Sequence, residues 1–283
     1  MSVADLVDSI PIVDQHAHPL VPVDEGTSIE TFAAYFSEGP PNEQARHTLC
    51  YRAALSLLAE EFDAHDEHTI LARRREVSPA AFATALLEGH NLEAVVLDMG
   101  YPPDIELADA AAQLPAEVHP LLRIESLLED LIESGDPFGA LMETFEARLD
   151  DALTGPYVGL KSIAAYRCGL AIESPSVSEA RQAYDRLTEE WTGRLDDPTF
   201  LSYALHVAAD RAASAGVPIQ FHTGLGDDDA HPGAVDPALL FDYLKGHPRT
   251  PFVLLHAGYP AVRTAGYLAS ILPNTYLDLG LAI

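Results

Sequence analysis

Seven apolar runs of strand length punctuate the chain: IPIVDQH (10–16), LEAVVLD (92–98), VHPLLRI (118–124), YVGLKSI (157–163), VPIQFH (217–222), PFVLLH (251–256) and TYLDLGL (275–281). They are near-continuous rather than alternating, the pattern of parallel strands covered on both faces. Between them lie amphipathic stretches of helical period, such as EQARHTLCYRAALSLLAEEF (43–62) and SEARQAYDRLTEEWTGRL (178–195). Helices between successive apolar strands predict βαβ units and a parallel sheet. At 283 residues the chain is near the ~250 of a TIM-like (β/α)8 barrel, and one barrel domain over 1–283 is the simplest organisation. The long helical stretch at about 28–90 reads as an insertion after the first strand, a cap over the barrel mouth. No further strand–helix unit follows TYLDLGL, so the barrel is expected to lack its eighth strand, through truncation or because a partner supplies it. The resulting apolar edge would favour a homo-oligomer.

Composition narrows the partners. Apolar residues make up 48% of the chain, enough for a large core. No uncharged apolar run reaches the ~18 residues of a membrane span. The N-terminal MSVADLVDSI is acidic and lacks the basic and apolar regions of a signal peptide. Two cysteines, Cys50 and Cys168, make no disulfide framework and suit a reducing cytoplasm. Forty-four acidic residues against 16 basic ones give a net charge of −28. That field repels nucleic acid and anionic membrane, leaving a small-molecule substrate as the expected partner. The acids are dispersed and only two lysines occur, Lys161 and Lys245. Such a balance suits a high-salt cytoplasm, where screening removes self-repulsion.

The candidate chemistry sits at the ends of the apolar runs. In VDQHAHPL, His16 and His18 are two residues apart, so a strand presents both imidazoles on one side. The C-terminal ends of barrel strands are where active sites form, and two neutral imidazoles there can share a divalent metal, zinc suiting them well. His222 and His256 end two later strands. Packing places single histidines readily, but four at three strand ends far less so. Lys161 lies within an apolar strand, where a lysine is costly unless paired. It could hold a substrate carboxylate as a cation, or be carboxylated and bridge two metals.

The order HxH, Lys, His, His on successive strands resembles the amidohydrolase superfamily of metal-dependent hydrolases. GLKSIAAYRCGL, PIQFHTGLGDDD and LLHAGYPAVRTAGYLASILPNTYLDLGLAI are similar to its amidohydrolase-related (amidohydrolase 2) branch, nearest the FluG-type proteins, some of which carry a glutamine-synthetase-like domain. The resemblance implies that His16, His18, His222 and His256 hold one or two divalent metal ions. His256 could act on substrate instead, and Lys161 falls where binuclear members carry a carboxylated lysine. The superfamily's eighth strand supplies an aspartate that takes the proton from the attacking water. Asp98 and Asp278 end the second run and lie in the seventh, so neither occupies that place.

Three further residues are candidates for reading the substrate. Tyr166 and Arg167 follow the lysine strand, and an arginine there can clamp a carboxylate through two parallel hydrogen bonds. Asp227 opens the loop after His222 and could meet an amine, whereas Asp228 and Asp229 read as solvated. The expected reaction is metal-assisted hydrolysis of an amide or related C–N bond. The FluG resemblance points to a γ-glutamyl-type amide. A metal-dependent decarboxylase or isomerase of the same branch is the alternative within catalysis, and a barrel without catalysis, acting as scaffold or sensor, is the alternative outside it.

Overall fold

Each apolar run contains a strand, and several strands stop before the run does. The computed structural model describes residues 9–37, 39–88, 90–102 and 105–280. The end of the seventh run, beyond residue 280, and most of the N-terminal acidic stretch lie outside these. Among the described residues the chain forms two compact units. One runs to Leu97 and includes Tyr101–Val118; the other comprises Asp98–Gly100 and the chain from His119 onward.

In the first unit, strand β1 (Ile12–Ala17) pairs in parallel with β2 (Leu92–Asp98), matching Val13 to Ala94 and Asp14 to Val95. Four helices fill residues 29–87: α1 (Ile29–Ala34), α2 (Leu49–Glu61), α3 (Glu67–Glu76) and α4 (Pro79–Leu87). Ser28, Thr48, Asp66 and Ser78 cap their starts by accepting a backbone N–H. Thr48 explains why the helical pattern at 43–62 is not one helix. Its backbone is extended and its hydroxyl caps Tyr51, so Glu43–His47 form a separate 3₁₀ turn. Phe32, Tyr51, Leu58, Ile70 and Leu71 are buried together in a core of their own. A short helix, α5 (Leu107–Ala111), follows β2.

The first strand departs from expectation. Ile10, Ile12 and Val13 are about half exposed, at 51%, 47% and 54%. The run is therefore not buried on both faces as its apolar character predicts. The reason is that β1 has one strand neighbour, β2, among the described residues.

In the second unit, β3 (Glu117–Arg123), β4 (Gly159–Ser162), β5 (Ile219–Phe221), β6 (Phe252–Leu254) and β7 (Thr275–Leu277) pair in chain order, all parallel. Register is unbroken, so Arg123, Lys161, Gln220, Val253 and Tyr276 form one row across the five strands. The adjacent row of Leu160, Ile219 and Phe252 is fully buried. Helices α6 (Ile124–Glu133), α7 (Phe138–Thr154), α8 (Val177–Glu189), α9 (Pro198–Ala215), α10 (Phe241–Gly246) and α11 (Val262–Ile271) come between and after these strands. Phe145, Phe200, Leu205, Phe221 and Leu244 join Leu160, Ile219 and Phe252 in its core.

Local chemistry sets the helix ends. Asp197 accepts the Thr199 and Phe200 amides at 2.9 Å each, Pro198 occupies the first turn, and Gly216 ends α9 at φ 72°. Helix α8 stops at Glu189 rather than at 195, before Gly193 takes φ 86°. Parallel strands alternating with helices are the repeat of a (β/α)8-type barrel, here with seven strands among the described residues. Among those residues no helix is long and apolar enough to cross a membrane.

Candidate active site

In the first unit His16 lies on β1 and His18 just beyond it. Their rings are neighbours, with centroids 5.2 Å apart and planes at 77°. The Nδ1 of His18 lies 3.2 Å from the carbonyl oxygen of Tyr101. A carbonyl only accepts, so Nδ1 carries the proton and the ring's lone pair resides on Nε2.

In the second unit the row shared by β3 and β4 places Arg123 beside Lys161. Lys161 is 1% exposed. Burial pushes its ammonium down to about 8; Asp98, Glu125 and Asp278 oppose that shift and Arg123 adds to it. Arg123 is held by Asp98 through two hydrogen bonds, Nε to Oδ1 at 3.2 Å and Nη2 to Oδ2 at 2.6 Å. Asp98 also accepts the Gly100 amide at 3.0 Å. A Cβ at position 100 would come within 2.3 Å of the Arg123 side chain, so the turn after β2 needs glycine for the arginine to pass. Glu125 is fully buried, accepts the Ser162 hydroxyl at 2.7 Å, and is pushed up by burial.

His222 and His256 come together just past the ends of β5 and β6, with ring centroids 4.8 Å apart. The strands stop short of them because each histidine enters a turn. His222 Nε2 is 2.6 Å from the Leu225 carbonyl and 2.9 Å from the Tyr166 hydroxyl. The first contact places the proton on Nε2 and the lone pair on Nδ1. His256 and Ala257 take left-handed backbone conformations, φ 58° and 47°, at a cost on the order of 1–3 kcal/mol each. The His256 Nδ1 lies 2.9 Å from the Gly280 carbonyl, so it donates there and leaves the lone pair on Nε2. Burial lowers the His256 pKa, the Gly280 carbonyl opposes that shift, and Lys161 adds to it. Gly224 is the other position where a side chain is excluded: its φ is 74° and a Cβ would sit 2.3 Å from the Tyr259 carbonyl.

The remaining candidates divide. Tyr166 reaches the site, with its ring centroid 4.4 Å from that of His222. Arg167, the expected carboxylate clamp, has its fork occupied by Glu129 at 2.9 and 3.3 Å, and Glu129 also accepts the Leu195 amide. Asp227 is exposed, and its carboxyl is raised by partial burial and by Asp229 and Asp228. Asp229 is not simply solvated as expected: Arg194 binds it at 2.8 Å and also donates to the Tyr166 carbonyl. Sequence reading missed Arg123 and Glu125. Their signal is a charged residue within an apolar run, as with Lys161, or directly following one.

Within each unit, among the described residues, no three His, Cys, Asp or Glu side chains form a ready metal cage. The chemistry of the donors nevertheless fits a divalent metal. His18, His222 and His256 each commit one ring nitrogen to a backbone carbonyl, which fixes the tautomer and gives the other nitrogen the lone pair. That arrangement is the one found behind metal-ligating histidines.

The Amidohydrolase family profile matches residues 186–283. The chain is 29% identical over 318 aligned residues to Protein fluG of Emericella nidulans, covering 99% of this chain and 37% of that protein. It therefore spans little more than a third of the length of that relative. It is 31% identical to a metal-dependent hydrolase candidate from Lactobacillus casei ATCC 334, whose structure it matches with a TM-score of 0.88, covering 99% of this chain and 76% of the other. A uronate isomerase from Bacillus halodurans C-125 shares the fold, with a TM-score of 0.57 and 16% identity over 96% of this chain and 73% of its own.

Two predictions follow from the buried charges. Asp98→Ala leaves Arg123 unpaired inside the unit and lowers stability by about 3–5 kcal/mol, whereas Asp98→Leu combined with Arg123→Met recovers most of that loss. Urea denaturation of the three proteins tests this, and additive losses would contradict it. For Glu125 the folded carboxyl titrates above its unfolded value near ~4.3. Its stabilisation is complete below that value and is lost as pH rises through the raised folded one. Stability measured between pH 4 and pH 8 should therefore shift in favour of Glu125→Gln over wild type as pH rises; parallel curves would contradict the raised value.

Proposed function

The chain belongs to the amidohydrolase-related family, and from that premise we propose that it is a metal-dependent hydrolase acting on an amide or related C–N bond. The observation that carries this reading is the pair His222 and His256. They follow adjacent parallel strands, lie 4.8 Å apart, and are each tied to a backbone carbonyl beside the buried Lys161. His222 through Nδ1 and His256 through Nε2 would hold the cation; within the first unit, His16 and His18 are the ligand pair that the resemblance implies. A bound divalent ion supplies Lewis acidity toward a carbonyl oxygen and toward water.

The chain's own groups do the rest. The Tyr166 hydroxyl oxygen lies at the His222 edge of the site, 2.9 Å from the protonated Nε2, and accepts there. Lys161 either presents a cation to a substrate carboxylate or, once carboxylated, bridges two ions. Its lowered pKa favours the second role, because carboxylation needs the neutral amine. The Asp98–Arg123 pair holds opposite charges beside it, so a change of charge at Lys161 is felt by fixed neighbours. Zinc is the metal proposed, since imidazole nitrogen suits it. A γ-glutamyl-type amide is the substrate class proposed, on the strength of the FluG likeness.

Elemental analysis of protein purified without chelator or affinity tag tests the reading. The expected result is one or two equivalents of zinc per chain, lost in His222→Ala and His256→Ala. A fall from two equivalents to one in Lys161→Ala would mark a bridging lysine; no change would leave it to the substrate. The loaded protein should release amine from γ-glutamyl amides. A folded wild type that takes up no divalent metal overturns the proposal.

A further inference from the structure

The strained turn that carries His256 is held by a residue that the hydrolase reading leaves without a task. Asp278 directly follows β7, and its side chain is largely buried, 12% exposed. Its own amide donates to the Leu254 carbonyl at 3.0 Å, continuing the pairing of β7 with β6 by one step. Its Oδ2 accepts the His256 amide at 3.0 Å, and its Oδ1 accepts the Gly280 amide at 3.0 Å. The Gly280 carbonyl in turn accepts from the His256 ring at Nδ1, 2.9 Å away. Asp278, Gly280 and His256 thus close a circuit that begins and ends on the same histidine.

Two successive residues other than glycine in the left-handed region do not stay there unless the surroundings over-determine them. The carboxylate is the group that does so at His256, since it engages that residue's backbone where the chain turns. By also engaging the Gly280 amide it orients the carbonyl that fixes the His256 proton. Both oxygens are committed to backbone amides, which suits an anchor and not a base that must reach water.

We infer that Asp278 is a positioning residue: it holds His256 in the left-handed turn and in the Nδ1-protonated tautomer, aiming Nε2 as the donor atom. The assignment of that donor to a metal rests on the hydrolase reading; the assignment of the tautomer does not.

The test uses full-length, metal-free protein with ¹⁵N-labelled histidine, read by long-range ¹H–¹⁵N correlation at pH 7.5, with His256→Gln to assign the signal. Wild type should show a single Nδ1-protonated tautomer for His256. Asp278→Ala should show both tautomers, and Asp278→Asn, which keeps one acceptor, an intermediate mixture. Adding Ala257→Gly to Asp278→Ala removes backbone strain, so it should restore the melting temperature but not the tautomer. Zinc titrated into Asp278→Ala should bind about 10–100-fold more weakly than into wild type. A wild-type His256 protonated on Nε2 overturns the inference, as does a folded Asp278→Ala or Asp278→Asn with the wild-type tautomer. Should Asp278→Ala not fold, the wild-type spectrum and Asp278→Asn decide. A wild type that fixes the tautomer yet binds no zinc overturns the hydrolase reading and leaves Asp278 in place.

Discussion

A lysine ammonium inside a parallel sheet must be faced by carboxylates, and in this protein much of the second unit is arranged around that requirement. Lys161 is buried on β4 with Leu160 on one side and Ser162 on the other, all in strand conformation. Asp98, Glu125 and Asp278 offset its desolvation, arriving from the end of β2, the first turn of α6 and the residue after β7. Carboxylates brought into the same interior need donors of their own. Arg123 supplies two to Asp98, Ser162 one to Glu125, and backbone amides two to Asp278. The register of β3 against β4 sets a second cation, Arg123, beside Lys161, which adds to the need for these carboxylates. Removing one member of such a set leaves its partner charged and dry, which is why these residues are coupled rather than additive.

The histidines solve a different problem, that of presenting a lone pair in a fixed direction. An imidazole at a strand end is free to turn about two bonds and to exchange its tautomer. His222 and His256 lose both freedoms through backbone carbonyls, those of Leu225 and Gly280. The turns that supply these carbonyls are irregular because they must double back onto the ring. They use Gly224 where no Cβ fits, and they strain His256 and Ala257 where glycine is not used. Strain at two successive residues, one of them a candidate ligand, marks a place where geometry has been favoured over stability.

The repeat of strands and helices was legible because every strand is announced by an apolar run, and parallel strands keep such runs continuous. Boundaries were not, since His222 and His256 continue an apolar run in composition while leaving the strand in conformation. The exposure of β1 was hidden for the opposite reason: a strand with one neighbour among the described residues is written in the same apolar letters as a central one. Lys161, Tyr166 and the four histidines stand out as candidates in the sequence because each is a polar residue within or just after an apolar segment. The engagement of Arg167 was not legible because its partner, Glu129, lies on a different element, α6, with no sequence spacing to reveal it. Arg123 lies within an apolar run as Lys161 does, and Glu125 directly follows that run where β3 passes straight into α6; neither is marked by a motif. The carbonyl contacts that set the tautomers could not be read at all, because they belong to the backbone and leave no residue type behind.

The central claim is that His222 and His256 donate to one cation. X-ray absorption at the zinc edge of the loaded protein addresses it most directly, because the imidazole ring gives a recognisable scattering pattern. Zinc–nitrogen distances of about 2.0–2.1 Å with at least two imidazoles, reduced by one in each single His→Ala variant at 222 and 256, are the predicted result. A zinc shell unchanged by both substitutions would contradict it and place the metal elsewhere in the chain.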